Sequence, residues 1–481
     1  MKKIVLLLAF ISFSVSCSDD ITDLNTDTKR PTQTKPEYLF TNAEKALVDQ
    51  MVNTSVNLNV FRLFCQYWAE TTYPDESQYN ITTRSIPDNH FTILYRDVLR
   101  DLQESKMLLE GESAPTPEAQ ATLNNKKAII AILTAYTYNV LVDTYGDIPY
   151  TEALDIQNHP LPKYDKGIDV YKDLITKLTA AANQIDANAD SFGDADLIYG
   201  GNATKWKKFA NSLRLRMAVN LHDVDPTYAS AQITAAVGAG LIVDNADNTN
   251  LNYLPLQPNA NPLYSDLVVS GRNDFVPANT LVDKMNGLSD PRRAKYFDIN
   301  PGATTYTGGI YGSSNNFAAF SHVSSTIADP TFAGTLFDYS EVEFLLAEAA
   351  ARGVAVGGTA SNHYNTAIAA SMENWGVAPA DITAYLAQSN VAFDAANWKK
   401  SIGEQSWIAL YNRGFEGWTS FRRLDYPKLV APATTYNELK VVPTRYSYPA
   451  REETLNQTNV SAAISAIGGN NLDTKLFWDK F

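Results

Sequence analysis

The stretch KKAIIAILTAYTYNVLVDTYG, residues 126–146, constrains this chain more than any other. Ile129, Leu133, Tyr136, Val140 and Leu141 fall at i, i+4, i+7, i+11 and i+12, the spacing of one helical face. Ile130, Thr134 and Thr137 flank that face, so the helix is apolar on more than one side and other helices must wrap it. Gly146 supplies a break and Pro149 prevents resumption.

The pattern recurs. Trp206, Phe209, Leu213, Met217 and Leu221 repeat it in residues 201–221, with Thr204 as the expected N-cap. Val342, Leu345, Leu346 and Ala349 repeat it in residues 340–353, where Ser340 and Glu343 have capping-box spacing and Gly353 is the stop. Further helices are predicted over 37–52, 90–110, 167–187, 227–238, 275–287, 360–374 and 395–412. Small residues recur at packing positions (Ala128, Ala131, Ala135; Ala180, Ala181, Ala182; Ala347, Ala349, Ala350), which lets helices approach closely. The expected fold is therefore mainly α, a scaffold of packed helices, although no clean 34-residue repeat marks the units. Between the helices, residues 71–89, 244–274 and 296–337 are rich in Asn, Gly, Pro, Ser and Thr with interspersed aromatics. Irregular stretches of such length usually carry function. Short strands are expected within or near them, around 251–254 and 440–448.

The N-terminus has its own pattern. Lys2 and Lys3 precede an apolar run from Ile4 to Val15, far short of the ~20 residues that span a bilayer. Ser14-Val15-Ser16-Cys17 then suits a lipobox. The expectation is a signal peptide over 1–16, an acylated Cys17 opening a polar tether over 17–36, and one domain over 37–481. Acyl chains at Cys17 would hold the chain on a membrane, since each buried CH₂ contributes ~0.8 kcal/mol. The only other cysteine, Cys65, permits no intramolecular disulfide in the mature chain and is expected to be a small buried apolar residue.

Much chemistry is missing. A net charge of −14 and the lack of any run of five Lys/Arg argue against a nucleic-acid partner. The five histidines, His90, His159, His222, His322 and His363, are isolated, with no H-E-x-x-H. There is no G-x-S-x-G and no P-loop, and Gly238-x-Gly240 has Val243 where a dinucleotide fingerprint needs its third glycine. Asp186, Asn188 and Asp190 have EF-hand spacing, but Ser191 and Leu197 break that loop. A looser structural calcium site near Asp190, Asp194 and Asp196 is the one cofactor the sequence suggests.

Several stretches together resemble the SusD/RagB family of Bacteroidetes surface lipoproteins, in its second, SusD-like branch. They are the lipobox with Ser18-Asp19-Asp20, FCQYWAETTYPDESQYN (64–80), YNVLVDTYGDIPYTEA (138–153), YGGNATKWKKFANSLRLRMA (199–218), LSDPRR (288–293), SEVEFLLAEAAARG (340–353), IALYNRGFEGWTSFRRLDYP (408–427) and PTRYSYPAREETLN (443–456). Gln405-Ser406 and Phe415-Glu416-Gly417-Trp418 depart from the main family's pattern and point to the branch. The resemblance implies tetratricopeptide-like helix pairs with loop excursions. It also implies a lipid-anchored protein on the outer face of the outer membrane, which captures oligosaccharides or oligopeptides and caps a SusC-type TonB-dependent transporter. No catalytic step is implied.

Sugars bind through C–H faces stacked on aromatic rings, with hydrogen bonds from Asn, Asp, Arg and Gln. The ligand-binding candidates are therefore Trp68, Tyr73 and Tyr79, then Arg272 and Asn273, then Tyr306, Tyr311 and Phe317. Each has a plainer reading. Trp68 closes a helical pattern and suits the core, Tyr73 and Tyr79 suit fold bracing, and Arg272-Asn273 suit a cap on a helix starting near Phe275. The loop YTGGIYGSSNNF (306–317) has Gly308, Gly309 and Gly312 to allow close approach, either of a ligand or of the transporter. YGDIPY and GWTSFRRLDYP are expected to be packing elements. Two other classes stay open: an exported α/α glycan-degrading enzyme, and a structural or adhesion lipoprotein without a small ligand.

Overall fold

In a computed structural model of the chain, residues 34–481 are described. The signal segment 1–16, the lipidation candidate Cys17 and the tether up to residue 33 lie outside the described residues. Helix α1 (Pro36–Val52) begins one residue inside the expected tether, because Pro36 sits at the N-terminus where a missing N–H costs nothing. It packs on α2, which runs from Ile86–Thr92 through a π-helical stretch, Ile93–Leu99, into Arg100–Glu110.

The scaffold is then a succession of packed consecutive helices: α3 (Pro117–Tyr145) with α4 (Gly167–Gln184), and α5 (Ala203–Asn220) with α6 (Pro226–Ala239). After an excursion that carries α7 (Asn279–Gly287), α8 (Tyr339–Ala351) pairs with α9 (Ala360–Asn374). Beyond α10 (Pro379–Leu386), α11 (Trp398–Ala409) pairs with α12 (Gly414–Leu424). The pairs stack through α4 on α5, α5 on α8 and α8 on α11. Helix α3 is long and apolar enough to cross a membrane, yet 89% of its most apolar window is covered by the rest of the chain. It is a wrapped core helix. Thr116 caps it by accepting from the Ala119 amide, and Gly146 ends it at φ +94°, a conformation that disfavours other residues.

Two expected caps move. Asn202, not Thr204, caps α5, and Asp338, not Ser340, caps α8. Asp338 has the extended backbone an N-cap requires and its carboxylate accepts from the Glu341 amide at 2.8 Å. Ser340 lies inside the helix and donates to the Ala367 carbonyl of α9, tying the pair together.

Short strands pair only in twos among the described residues. They are β1 (Trp68–Glu70), β2 (Ile148–Pro149), β3 (Tyr164–Asp165), β4 (Thr249–Leu251), β5 (Phe275–Pro277), β6 (Phe297–Asp298), β7 (His322–Val323) and β8 (Gly334–Phe337). The antiparallel pairs are β1–β5, β2–β3, β4–β8 and β6–β7. The helix expected from Phe275 starts only at Asn279, since Phe275–Pro277 is drawn into pairing with β1. The strand expected at 440–448 does not form.

Both motifs expected to pack do so. Trp418 is fully buried and donates to the Pro443 carbonyl at 2.6 Å. Arg422 lies over the Trp418 ring and caps the Asp143 and Thr444 carbonyls. The Asp147 carbonyl in YGDIPY accepts from the Tyr448 hydroxyl. Cys65 is buried, its thiol against the Gly414 carbonyl.

Candidate functional site

The β1–β5 ribbon sets Trp68 opposite Pro277 and Glu70 opposite Phe275, and the pairing continues past the strands. The Thr71 amide donates to the Asp274 carbonyl at 3.0 Å and the Thr71 hydroxyl to the Asn273 carbonyl at 2.6 Å. The loops that leave β1 and enter β5 therefore run side by side, which brings Tyr73 to Arg272, Asn273 and Asp274 from a distant part of the sequence.

A third loop is sewn on. The Asn315 amide donates to the Thr71 carbonyl at 2.9 Å, its side-chain nitrogen to the Glu70 carbonyl at 2.9 Å, and the Ser314 hydroxyl to the Thr72 carbonyl at 2.9 Å. Gly309 donates to the Pro277 carbonyl at 2.8 Å while its own carbonyl accepts from Asn279 at 2.7 Å. A Cβ on Gly308 would stand 2.5 Å from the Asn279 nitrogen, and one on Gly309 2.5 Å from a Val276 methyl. The glycines do allow close approach, but to the chain itself.

On the resulting surface Tyr73 is 61% exposed. Arg272 is held as a fork by Asp274, Nε to Oδ2 at 2.6 Å and Nη2 to Oδ1 at 3.0 Å, with 60% of its side chain exposed. These residues rim a depression with Glu70, Glu76 and Arg84 in its walls, of only ≈ 30 Å³. That is room for water, so a ligand would lie across it rather than inside it.

Burial pushes the Glu70 carboxyl up to about 9, with Glu76 alongside adding to the rise and the Ser77 hydrogen bonds pulling the other way. Ser77 donates to Glu70 Oε2 from its amide at 2.9 Å and its hydroxyl at 2.7 Å, and Glu76 pairs with Arg84. Near neutral pH the wall thus holds a protonated carboxyl beside a compensated ion pair. Neither carboxylate is left facing open space as a general base. The surface thus presents an exposed ring, an oriented guanidinium and nearly neutral walls.

The other candidates distribute differently. Trp68, Tyr79 and Tyr311 are buried, and their assignment as ligand platforms is corrected. Trp68 donates to the Tyr411 hydroxyl at 2.9 Å with its ring against Phe275 and the Arg62 guanidinium. Tyr79 meets the Phe64 ring edge to face, and Tyr311 donates to the Leu63 carbonyl at 2.6 Å. Tyr306 is half-buried against Phe297 and Arg293, and Phe317 is half-buried, stacked on His322 at 3.9 Å. Asn273 is exposed beside Arg272. Sequence reasoning missed Glu70, Glu76 and Arg84, whose only signal is an acid at the end of β1 followed by an acid and a base in the loop after it.

The calcium reading is also corrected. Asp196 is buried and its carboxylate already accepts from the Ile198, Tyr199 and Gly201 amides and from Trp206 Nε1, while Asp190 and Asp194 are exposed. No group of three His, Cys, Asp or Glu side chains with metal-binding geometry occurs among the described residues. A larger concavity of ≈ 580 Å³ lies between α2, α3 and α4; of its carboxylates, Asp165 and Asp173 are engaged by Thr151, Tyr150 and Lys177, while Asp169 is exposed to solvent.

Comparison with known proteins agrees with this architecture. The model of the SusD-like family, described as starch-binding and associating with the outer membrane, matches residues 28–449. A solved chitin-binding protein is 27% identical, with a TM-score of 0.79 over 93% of this chain and 100% of its own. A SusD homologue from Bacteroides uniformis is 27% identical, with a TM-score of 0.78 over 92% and 100%. A chitin-binding SusD homologue from Flavobacterium johnsoniae, 24% identical with a TM-score of 0.77 over 92% and 97%, shares the fold. Comparison with curated proteins gives no match. The family comprises generally non-catalytic binding proteins of the outer membrane. With its model matched from residue 28 to 449 and the same fold in each of these relatives, the chain belongs to the SusD-like family.

Proposed function

We propose that this protein is a lipid-anchored receptor that holds a neutral oligosaccharide across the Tyr73–Arg272 surface and caps a SusC-type TonB-dependent transporter, without catalysis. The carrying observation is the exposed Tyr73 ring beside the Asp274-oriented Arg272 guanidinium, on three loops fastened to one another. A ring supplies the stacking face, and a fixed guanidinium supplies donors whose ordering cost is already met. Asn273, exposed on the same loop, extends the contact. The family's starch-binding description and the chitin-binding relative at 27% identity support glycan over oligopeptide. Cys17 is the anchor in this reading.

Calorimetric titration with maltoheptaose and chitohexaose tests it. Binding of either, weakened about tenfold (~1.4 kcal/mol) by Tyr73→Ala or Arg272→Ala, is the expected result. Shortened glycan products would favour an enzyme, and binding of oligopeptides alone would replace the substrate class. Cys17→Ala should release the protein from membranes, and the native protein should co-purify with a large β-barrel.

A further inference from the structure

A second concavity lies close to this surface. Residues 436–441 and 470–473, with Thr82 and Ser447, line an open concavity of ≈ 410 Å³, the size of a small-molecule site. The chain reverses there with two successive non-glycine residues in the left-handed region, Asn437 at φ +52° and Glu438 at φ +56°. That conformation costs roughly 1–2 kcal/mol per residue. It is held by the Thr435 hydroxyl on the Leu439 carbonyl at 2.7 Å, and it turns the segment over the cleft.

The lining combines an exposed ring, apolar side chains and polar groups without partners. Tyr436 offers a ring that is 39% exposed, and Leu439 and Leu472 give an apolar floor. The side chains of Tyr436, Asn437, Lys440, Asn471 and Asp473 make no hydrogen bond or ion pair to other described residues, so their polar atoms are available to a ligand. Asn470, by contrast, is spent on structure. It accepts from the Tyr448 amide and Arg445 and donates to Glu453, which makes that wall rigid. One lysine against two acids leaves the cleft with little net charge, which suits a neutral ligand.

The cleft is also tied to the first surface. The Tyr436 amide donates to the Gln78 carbonyl at 2.7 Å, and the Gln78 side chain donates to the Gly312 carbonyl at 2.9 Å. Five residues separate Tyr73 from Gln78, so their Cα atoms are at most ~18 Å apart. We infer that the Tyr436 cleft is a second saccharide subsite, which takes the far part of the same oligosaccharide chain that crosses Tyr73 and Arg272. This inference rests on the proposed function. Two modest contacts on one ligand reinforce each other, because the second forms at high effective concentration.

The test is affinity against chain length, by titrating malto- and chito-oligosaccharides of two to seven units into the wild type, Tyr436→Ala and the double variant Asn471→Ala/Asp473→Ala. In the wild type, affinity should climb at least tenfold from the short to the long members of the series it binds. Both variants should flatten that climb, with melting temperatures near the wild-type value; the double variant carries the test if Tyr436→Ala folds poorly. An equal climb in wild type and variants overturns the second subsite and leaves the Tyr73–Arg272 reading standing. Failure of the wild type to bind any oligosaccharide overturns both.

Discussion

Arg216 of α5 grips Glu341 of α8 through two hydrogen bonds, Nε to Oε1 at 2.6 Å and Nη2 to Oε2 at 2.9 Å, although 125 residues separate them. Arg413 adds a third bond to Glu341 Oε2 at 2.5 Å, and all three residues are buried. The excursion that carries β4 to β8 leaves the scaffold after α6 and rejoins it at this joint. Glu341→Ala would leave two guanidinium groups in the core without their main acceptor, at a cost of about 3–5 kcal/mol. Urea unfolding should show that loss, and a change under ~1 kcal/mol would contradict the role assigned to the joint.

Trp68 and Tyr73 should separate stability from binding. Trp68→Ala removes a fully buried indole and its bond to Tyr411, and is expected to cost about 3–5 kcal/mol. Tyr73→Ala removes an exposed ring and should change stability by no more than ~0.5 kcal/mol while weakening oligosaccharide binding. Thermal melts and titrations on both variants check the contrast; normal oligosaccharide affinity in Tyr73→Ala would be against it.

Glu70 gives a pH signature. Its folded-state value of about 9 lies above its usual 4.5, so the folded form holds the proton more tightly than the unfolded form does. The corresponding stability is fully present below pH 4.5 and is lost as pH rises through about 9. The wild type should therefore melt earlier at pH 10 than at pH 7, with a smaller decline in Glu70→Gln, where an amide replaces the protonated carboxyl between Ser77 and Glu76. Parallel pH profiles for the two proteins would remove Glu70 as the source.

Gly309 reports on the seam between loops. Gly309→Ala would press a methyl against Val276 and Asn315 and should part the third loop from β5. Overpacking of this kind typically costs about 1–3 kcal/mol. Hydrogen exchange at the Gly309 and Asn279 amides should quicken, and unchanged protection there would mean the seam tolerates the methyl group.

The helical scaffold was open to sequence reasoning because its signal is repeated. Helix 360–374 is found at the expected residues, and α3 stops at Gly146 as its break required. Caps were harder to read, since Asp338 and Ser340 are two residues apart and both types can cap; only backbone direction chooses between them. The ligand candidates were harder still. Trp68 and Tyr73 look alike as aromatics five positions apart, one closing a helical pattern and one opening an irregular stretch, but β1 is covered on both faces while Tyr73 lies beyond it. Arg272 and Asn273 were brought to Tyr73 by a strand pairing across about two hundred residues that no local pattern announces. The Tyr436 cleft left no trace because its turn uses Asn and Glu where glycine would have marked it.

The seam that joins the loops is made largely of main-chain groups: amides of Thr71, Asn279, Gly309 and Asn315 against carbonyls of Asp274, Gly309, Pro277 and Thr71. Those groups belong to every residue type except proline at the donor. Most side chains pointing outward from the stitching can be exchanged without undoing a stitch. A binding protein built this way can be retuned to a different ligand one substitution at a time, keeping its shape while its taste changes.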